Sequence, residues 1–360
     1  MTPHAQAVEP RERLAWVDAA RALCVLAVVI LHATISLLMV FEPDPLDMAW
    51  RHIVDAMTPF RMPALSLLSG MLLSSRISAG FGDRRAVASI ALSAWLYIVW
   101  LAVFLVVALT VGSSIWLGQF GFGKLGDSLA SFVDQLVLPR TVLWYVAALA
   151  IWSAILAAIR RVPPAAVLIV LSALSIVSFS LPTDGAEQYP NMIRYFVFFA
   201  VGVYAAEEIR STILRSPWAT GIIAAGVFVA TTLAASFGPN ERVDDVLSVP
   251  RDVAGALIVM VLAVALCRVP GVGRGLAWVG RRTLPIYVMH AILLDLLVMG
   301  TSWWVDLFES RFARTIAPVV IMLAITAVAV AVHWLALRTP AHVLFVLPVA
   351  WRRRILKEPR

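Results

Sequence analysis

The stretch Arg13-Leu-Ala-Trp-Val-Asp18-Ala-Ala-Arg21-Ala-Leu-Cys-Val-Leu-Ala-Val-Val-Ile-Leu-His32 is apolar enough to enter a bilayer, yet it carries ionisable side chains with it. On a helix turning about 100° per residue, Arg21 and His32 are eleven positions apart and fall within about 20° of one face, roughly 16 Å apart along the axis. Asp18 joins that face at the i, i+3 spacing from Arg21. An arginine near a membrane boundary suits an anionic group arriving from solution, and a histidine deeper in suits proton transfer away from water. Each residue also has a plainer reading, Arg21 as a snorkelling topology determinant and His32 as a hydrogen-bonded packing residue.

The rest of the chain has the same character. Of its 360 residues 61% are hydrophobic and 14% charged, and the mean hydropathy is +0.89. An ordinary soluble domain is about 45 to 50% apolar, so the composition points to an all-α, multi-pass membrane protein. Ten apolar segments of roughly spanning length can be drawn, at about 20–41, 52–74, 86–111, 141–160, 164–181, 191–209, 217–237, 251–267, 283–300 and 314–337. With both termini cytoplasmic, most of the 29 Lys and Arg residues face inside, among them Arg76, Arg84, Arg85, Arg160, Arg161, Arg281 and Arg282. Acidic residues collect outside, as the positive-inside rule expects. The net charge of +7 then needs no nucleic acid to explain it, because basic inner loops face an anionic leaflet. The sequence divides into a transmembrane domain over 1–340 and a basic cytoplasmic tail over 341–360, whose Arg352, Arg353, Arg354 and Lys357 suit anchoring at the membrane surface. The long loop from Gly112 to Arg140, with Trp116, Phe120 and Phe122, either lies against the membrane surface, caps a cavity or is a plain connector.

Polar residues in costly places mark the candidate site. The second segment holds Thr58-Pro-Phe-Arg61-Met-Pro63, an arginine between two prolines, which either satisfies carbonyls freed by the prolines or lines a pocket. The ninth holds Thr283-Leu-Pro285-Ile-Tyr287-Val-Met-His290, where Tyr287 and His290 share a face and His290 reaches about the depth of His32, implying a common cavity. Asp295 points elsewhere. Trp144, Tyr145, Arg194 and Tyr195 stand near segment ends and read as interfacial residues. Only Cys24 and Cys267 are present, and no histidine pair has metal-ligand spacing, so neither a disulfide framework nor a metal site is expected.

These residues resemble the membrane-bound acyltransferase-3 family, which acylates bacterial envelope glycans and related acceptors. The likeness covers the whole chain. It is carried by Asp18, Arg21 and His32, then by Phe60-Arg61-Met62-Pro63 with Ser69-Gly70, and more weakly by Leu143-Trp144-Tyr145 and Tyr287-Val-Met-His290. The family's basic pair before the third span corresponds to Arg84 and Arg85, here adjacent and without the usual following proline. The resemblance implies a bacterial inner-membrane enzyme moving an acetyl or other short acyl group from acyl-CoA to a carbohydrate hydroxyl, with membrane lipids its surroundings and acyl-CoA its donor substrate rather than a bound cofactor. His32 would be general base or acyl carrier, with His290 beside it as a second catalytic candidate. Arg21 with Arg84 or Arg85 would hold CoA phosphates, Asp18 would orient Arg21, and Arg61 and Tyr287 would line the pocket. The alternative is a secondary transporter or flippase with an Arg/His pathway.

Overall fold

The structure is a computed structural model, and it describes residues 12–41, 45–111, 129–181, 188–238, 241–299, 305–308 and 310–356. Trp116, Phe120, Phe122, Lys357 and Arg360 lie outside them. The described chain is helical with no strands, the outcome expected where lipid leaves the backbone no partner but itself.

Helix α1 (Glu12–Val40) begins the chain and α2 (Pro45–Ala56) leads by a one-residue break into α3 (Thr58–Ala79). Then follow α4 (Arg84–Val111), α5 (Leu129–Val137), α6 (Trp144–Ala158), α7 (Pro164–Val177), α8 (Tyr189–Tyr204) and α9 (Ala206–Arg215). The C-terminal half contains α10 (Pro217–Ser236), α11 (Glu241–Cys267), α12 (Val272–Gly280), α13 (Thr283–Met299), α14 (Arg311–Ala336) and α15 (Val349–Leu356). Six units are long and apolar enough to cross a membrane among the described residues: α1, the α2–α3 unit, α4, α10, α11 and α14. A seventh is the α12–α13 pair, bent by 75°. The remaining predicted segments are helices α6, α7 and α8, of 15, 14 and 16 residues, below the roughly 20 residues that a straight crossing needs. Helix length and composition therefore support a multi-pass membrane protein with six or more candidate spans among the described residues, and leave the count of ten drawn from hydropathy unconfirmed.

Helix α1 is the hub, packing on α3, α11, α12, α13 and α14. Helix α3 lies against α8 along most of its length, and the cause is a pair of glycines. A Cβ on Gly70 would fall 2.1 Å from the Phe199 carbonyl oxygen, and one on Gly202 would fall 2.0 Å from that of Leu67. Two backbones in van der Waals contact tolerate no side chain there, the usual reason for small residues between membrane helices. Around this centre the bundle turns apolar surface outward, with Ile222 73% and Leu109 63% exposed, as lipid-facing helices do.

The tail boundary drawn at 341 falls inside the packed structure. Trp95 and Trp100 on α4 donate from their indole nitrogens to the carbonyls of Val343 and Leu344, each at 2.8 Å. Trp351 on α15 then stacks edge-on against Trp95. The first part of this stretch is thus fastened to α4 before the arginines of α15 begin.

Candidate functional site

The site is built where two irregular joints meet α1. The first is the α2–α3 break. Pro59 has no N–H for the carbonyl of Asp55 four residues earlier, and the Thr58 hydroxyl donates to that carbonyl at 2.6 Å. Arg61 completes the repair, its guanidinium donating to the Val54 carbonyl at 2.6 Å and to Thr58 Oγ1 at 2.9 Å. The side chain that staples the break also lines a cavity.

The second joint is the α12–α13 bend. Gly280 ends α12 directly against α1, where an added Cβ would lie 1.8 Å from the Asp18 carbonyl oxygen. That approach brings the residues of the bend to the first turns of α1. Asp18 sits between Arg21 at 3.9 Å and Arg281 at 3.8 Å, and Arg21 Nη2 donates to Thr283 Oγ1 at 2.7 Å. Two guanidinium groups around one carboxylate leave a net positive charge at this end of α1, suited to phosphate or carboxylate oxygens. A small cavity of about 50 Å³ opens beside Arg21, with Ser69, Tyr145, Thr283 and Tyr287 in its walls.

About eleven residues further along α1, His32 and His290 meet directly. Their Nδ1 and Nε2 atoms are 2.9 Å apart, with the rings stacked at 4.9 Å between centroids. His290 is fully buried, and its Nδ1 lies 2.5 Å from the Tyr287 carbonyl. A carbonyl can only accept, so with both rings neutral His290 carries its proton on Nδ1 and its lone pair on Nε2. His290 Nε2 then accepts from His32 Nδ1, and the lone pair of His32 is assigned to Nε2. His32 lines a second cavity of about 240 Å³ together with Arg61, Arg140, Trp144, Asn191 and Tyr195, and His290 is not among its lining residues.

Tyr287 belongs to both cavities, its hydroxyl fixed by donating to the Val142 carbonyl at 2.6 Å. Tyr145 closes the same partition from the other side. Its ring packs edge-on against that of Tyr287, its hydroxyl donates to the Leu65 carbonyl at 3.0 Å, and the Ser69 hydroxyl, 2.8 Å away, is left to donate to it. The interfacial reading of Trp144 and Tyr145 is corrected here, since the two are 7% and 4% exposed within the bundle. The same correction covers Tyr195, buried in the wall of the larger cavity, and Arg194, which pairs with the buried Asp252 at 3.1 Å.

The structure thus gathers Asp18 with Arg21, and His32 with Arg61, Tyr287 and His290. Arg84 and Arg85 fall elsewhere: Arg84 donates to the Leu356 carbonyl at 3.4 Å, Arg85 caps through its backbone onto Asp83, and neither lines the Arg21 cavity. Among the described residues Asp295 is buried with no hydrogen bond to either carboxylate oxygen, so it does not orient His290. Among the described residues no group of His, Cys, Asp or Glu could hold a metal ion. Sequence reasoning gave no site role to Arg281, Thr283 or Tyr145. Thr283 opens the quoted ninth-segment stretch and Tyr145 belongs to the Leu143-Trp144-Tyr145 element, so both stood inside quoted motifs, while Arg281 had been absorbed into the count of inside charges.

With two cavities that share Tyr287, and a histidine pair beside the larger one, comparison with known proteins decides the class. A family model described as an acyltransferase domain matches residues 14–338, nearly the whole chain. The chain belongs to the acyltransferase-3 family and is a membrane acyltransferase. No curated protein and no solved structure matches it.

Proposed function

We propose that this enzyme transfers an acetyl or similarly short acyl group from acyl-CoA to a hydroxyl of an envelope carbohydrate, working in a bacterial inner membrane. The observation that carries the reading is the His32–His290 pair, which assigns a lone pair to Nε2 of a histidine standing in a cavity wall. In this mechanism the CoA phosphates rest at Arg21 and Arg281, and the thioester reaches toward the partition at Tyr287, since the helical rise of about 16 Å from Arg21 to His32 is comparable to an extended phosphopantetheine arm. The acceptor occupies the larger cavity. His32 Nε2 takes the hydroxyl proton as the oxygen attacks the thioester carbonyl, the C–S bond breaks, and the sulfur leaves with a proton returned from His32. His290 is a positioning residue, holding the tautomer through His32 Nδ1. Asp18 keeps the Arg21 and Arg281 guanidinium groups oriented.

Purified protein supplied with acetyl-CoA and an envelope glycan extract tests the assignment. His32→Ala is expected to lower acyl transfer by about 10² to 10⁴, the usual contribution of a positioned base, while CoA binding persists because Arg21 is remote. Substantial turnover by well-folded His32→Ala would remove His32 from the chemistry.

A further inference from the structure

Among the described residues, five arginines at the His32 end of the bundle pair with acids, while Arg242 and Arg311 are exposed to the surroundings. Arg51 meets Asp55 at 2.7 Å, Arg140 meets Asp134 at 3.4 Å, Arg194 meets Asp252 at 3.1 Å, Arg251 meets Asp244 at 2.6 Å and Arg314 meets Asp47 at 3.6 Å. Arg61 is different. It is 6% exposed, and no carboxylate lies within ion-pair distance of it among the described residues; its partners are the Val54 carbonyl and the Thr58 hydroxyl. A guanidinium has five N–H donors, so these two bonds leave most of the fork unused. Burying a cation without a counter-ion is costly, and a protein that holds one against a cavity offers its field to whatever enters.

The cavity itself agrees. Arg61 contributes positive charge to its wall, Arg140 a guanidinium already paired with Asp134, and Gln188 and Asn191 amides, and among the described residues no Asp or Glu lines it. Trp144 and Tyr195 stand in the same wall with their rings stacked at 5.9 Å, an aromatic surface of the kind that sugar faces pack against. By charge topology this is the outer end, where the positive-inside rule makes buried basic residues scarce, so retaining Arg61 there asks for a reason beyond insertion. Stapling the α2–α3 break is not sufficient reason, because a carbonyl and a hydroxyl can be satisfied by neutral donors.

We propose that the acceptor is an anionic saccharide, whose carboxylate or phosphate binds Arg61 while a hydroxyl of the same or the adjoining unit is presented to His32. This deepens the acyltransferase reading and rests on it, because it takes the His32 cavity as the acceptor site. A cavity of about 240 Å³ has room for a single sugar-sized unit, so the charge and the acylated hydroxyl lie close together on the acceptor. Arg61 recognises the anion through charge-assisted N–H bonds, which are about twice as strong as neutral ones.

The test is binding to the purified full-length protein in detergent, followed by thermal unfolding, with three probes of single-sugar size: glucuronate, a hexose phosphate and a neutral hexose. At least one anionic probe is expected to bind about tenfold more tightly than the neutral one, and which of the two does so separates a carboxylate from a phosphate acceptor. Arg61→Gln should erase that preference, and Arg61→Lys, which keeps the charge but loses the fork, should retain part of it. Acetyl-CoA-dependent stabilisation measured on the same variants reports whether they are folded. Equal binding of all three probes, binding of none, or a preference that survives in folded Arg61→Gln overturns the proposal. Loss of acetyl-CoA binding by the wild type, with anion preference intact, overturns the donor assignment instead and leaves the anion site standing.

Discussion

Replacing His290 by Ala separates a positioning role from a catalytic one, and the structure supplies the magnitude. The substitution deletes the acceptor 2.9 Å from His32 Nδ1, leaving a half-buried N–H unsatisfied or free to move its proton to Nε2. An unmade hydrogen bond at such a site costs about 1 to 3 kcal/mol. At 1.36 kcal/mol per tenfold, that corresponds to roughly a 5- to 150-fold fall in kcat, smaller than the loss expected at His32. His290→Gln places an amide oxygen near the former Nε2, so it should accept from His32 and recover most of the rate. The assay is acyl transfer from radiolabelled acetyl-CoA under saturating donor, with KM for the donor recorded alongside. A positioning role predicts a lowered kcat, an unchanged donor KM and rescue by Gln. If His290→Ala is as inactive as His32→Ala and Gln rescues nothing, His290 takes part in the chemistry itself. If His290→Ala is fully active, the tautomer argument fails.

Arg21→Lys should weaken CoA binding nearly as much as Arg21→Ala, because an ammonium cannot bond Thr283 and a phosphate oxygen in the same fork geometry; isothermal titration that finds Lys equivalent to Arg would count against a bidentate role. Gly70→Ala should destabilise the bundle by about 1 to 3 kcal/mol through overpacking, since its Cβ would have to move out of contact with the Phe199 carbonyl. Gly226→Ala on α10, with nothing within 4 Å of the added Cβ, should be neutral or mildly stabilising, and equal thermal midpoints for the two variants would contradict the proposed helix contact.

The parts of the site that could be read in advance were those governed by one helix at a time. Asp18, Arg21 and His32 lie on one continuous helix, so periodicity alone predicts their shared face, and the i, i+3 ion pair forms as expected. Tyr287 and His290 were likewise related by spacing, and equal depth along the bundle was enough to bring His32 and His290 to one level, where the rings meet although His32, and not His290, lines the larger cavity. What depth cannot supply is rotamer and tautomer, which follow from the Tyr287 carbonyl accepting from His290. Trp144 and Tyr145 were misread for a related reason. An aromatic pair at the end of an apolar segment looks the same whether the end faces the lipid boundary or the interior, and only the packing of α6 beside α3 and α4 buries it.

Arg281 shows where single-helix reasoning stops. In the sequence it is one more inner-side arginine, indistinguishable from Arg268 or Arg274, and the positive-inside rule explains all of them equally well. Its distinction arises from Gly280. Because that residue has no side chain, α12 can end with its backbone on the Asp18 carbonyl, and the next residue is carried to Asp18 while the 75° turn delivers Thr283 to Arg21. A β-carbon at position 280 would push the bend off α1 and separate Arg281 and Thr283 from Asp18 and Arg21 together. The charge site at the start of α1 thus depends on a glycine some 260 residues away in the chain, a dependence that no local pattern of charge or hydropathy contains.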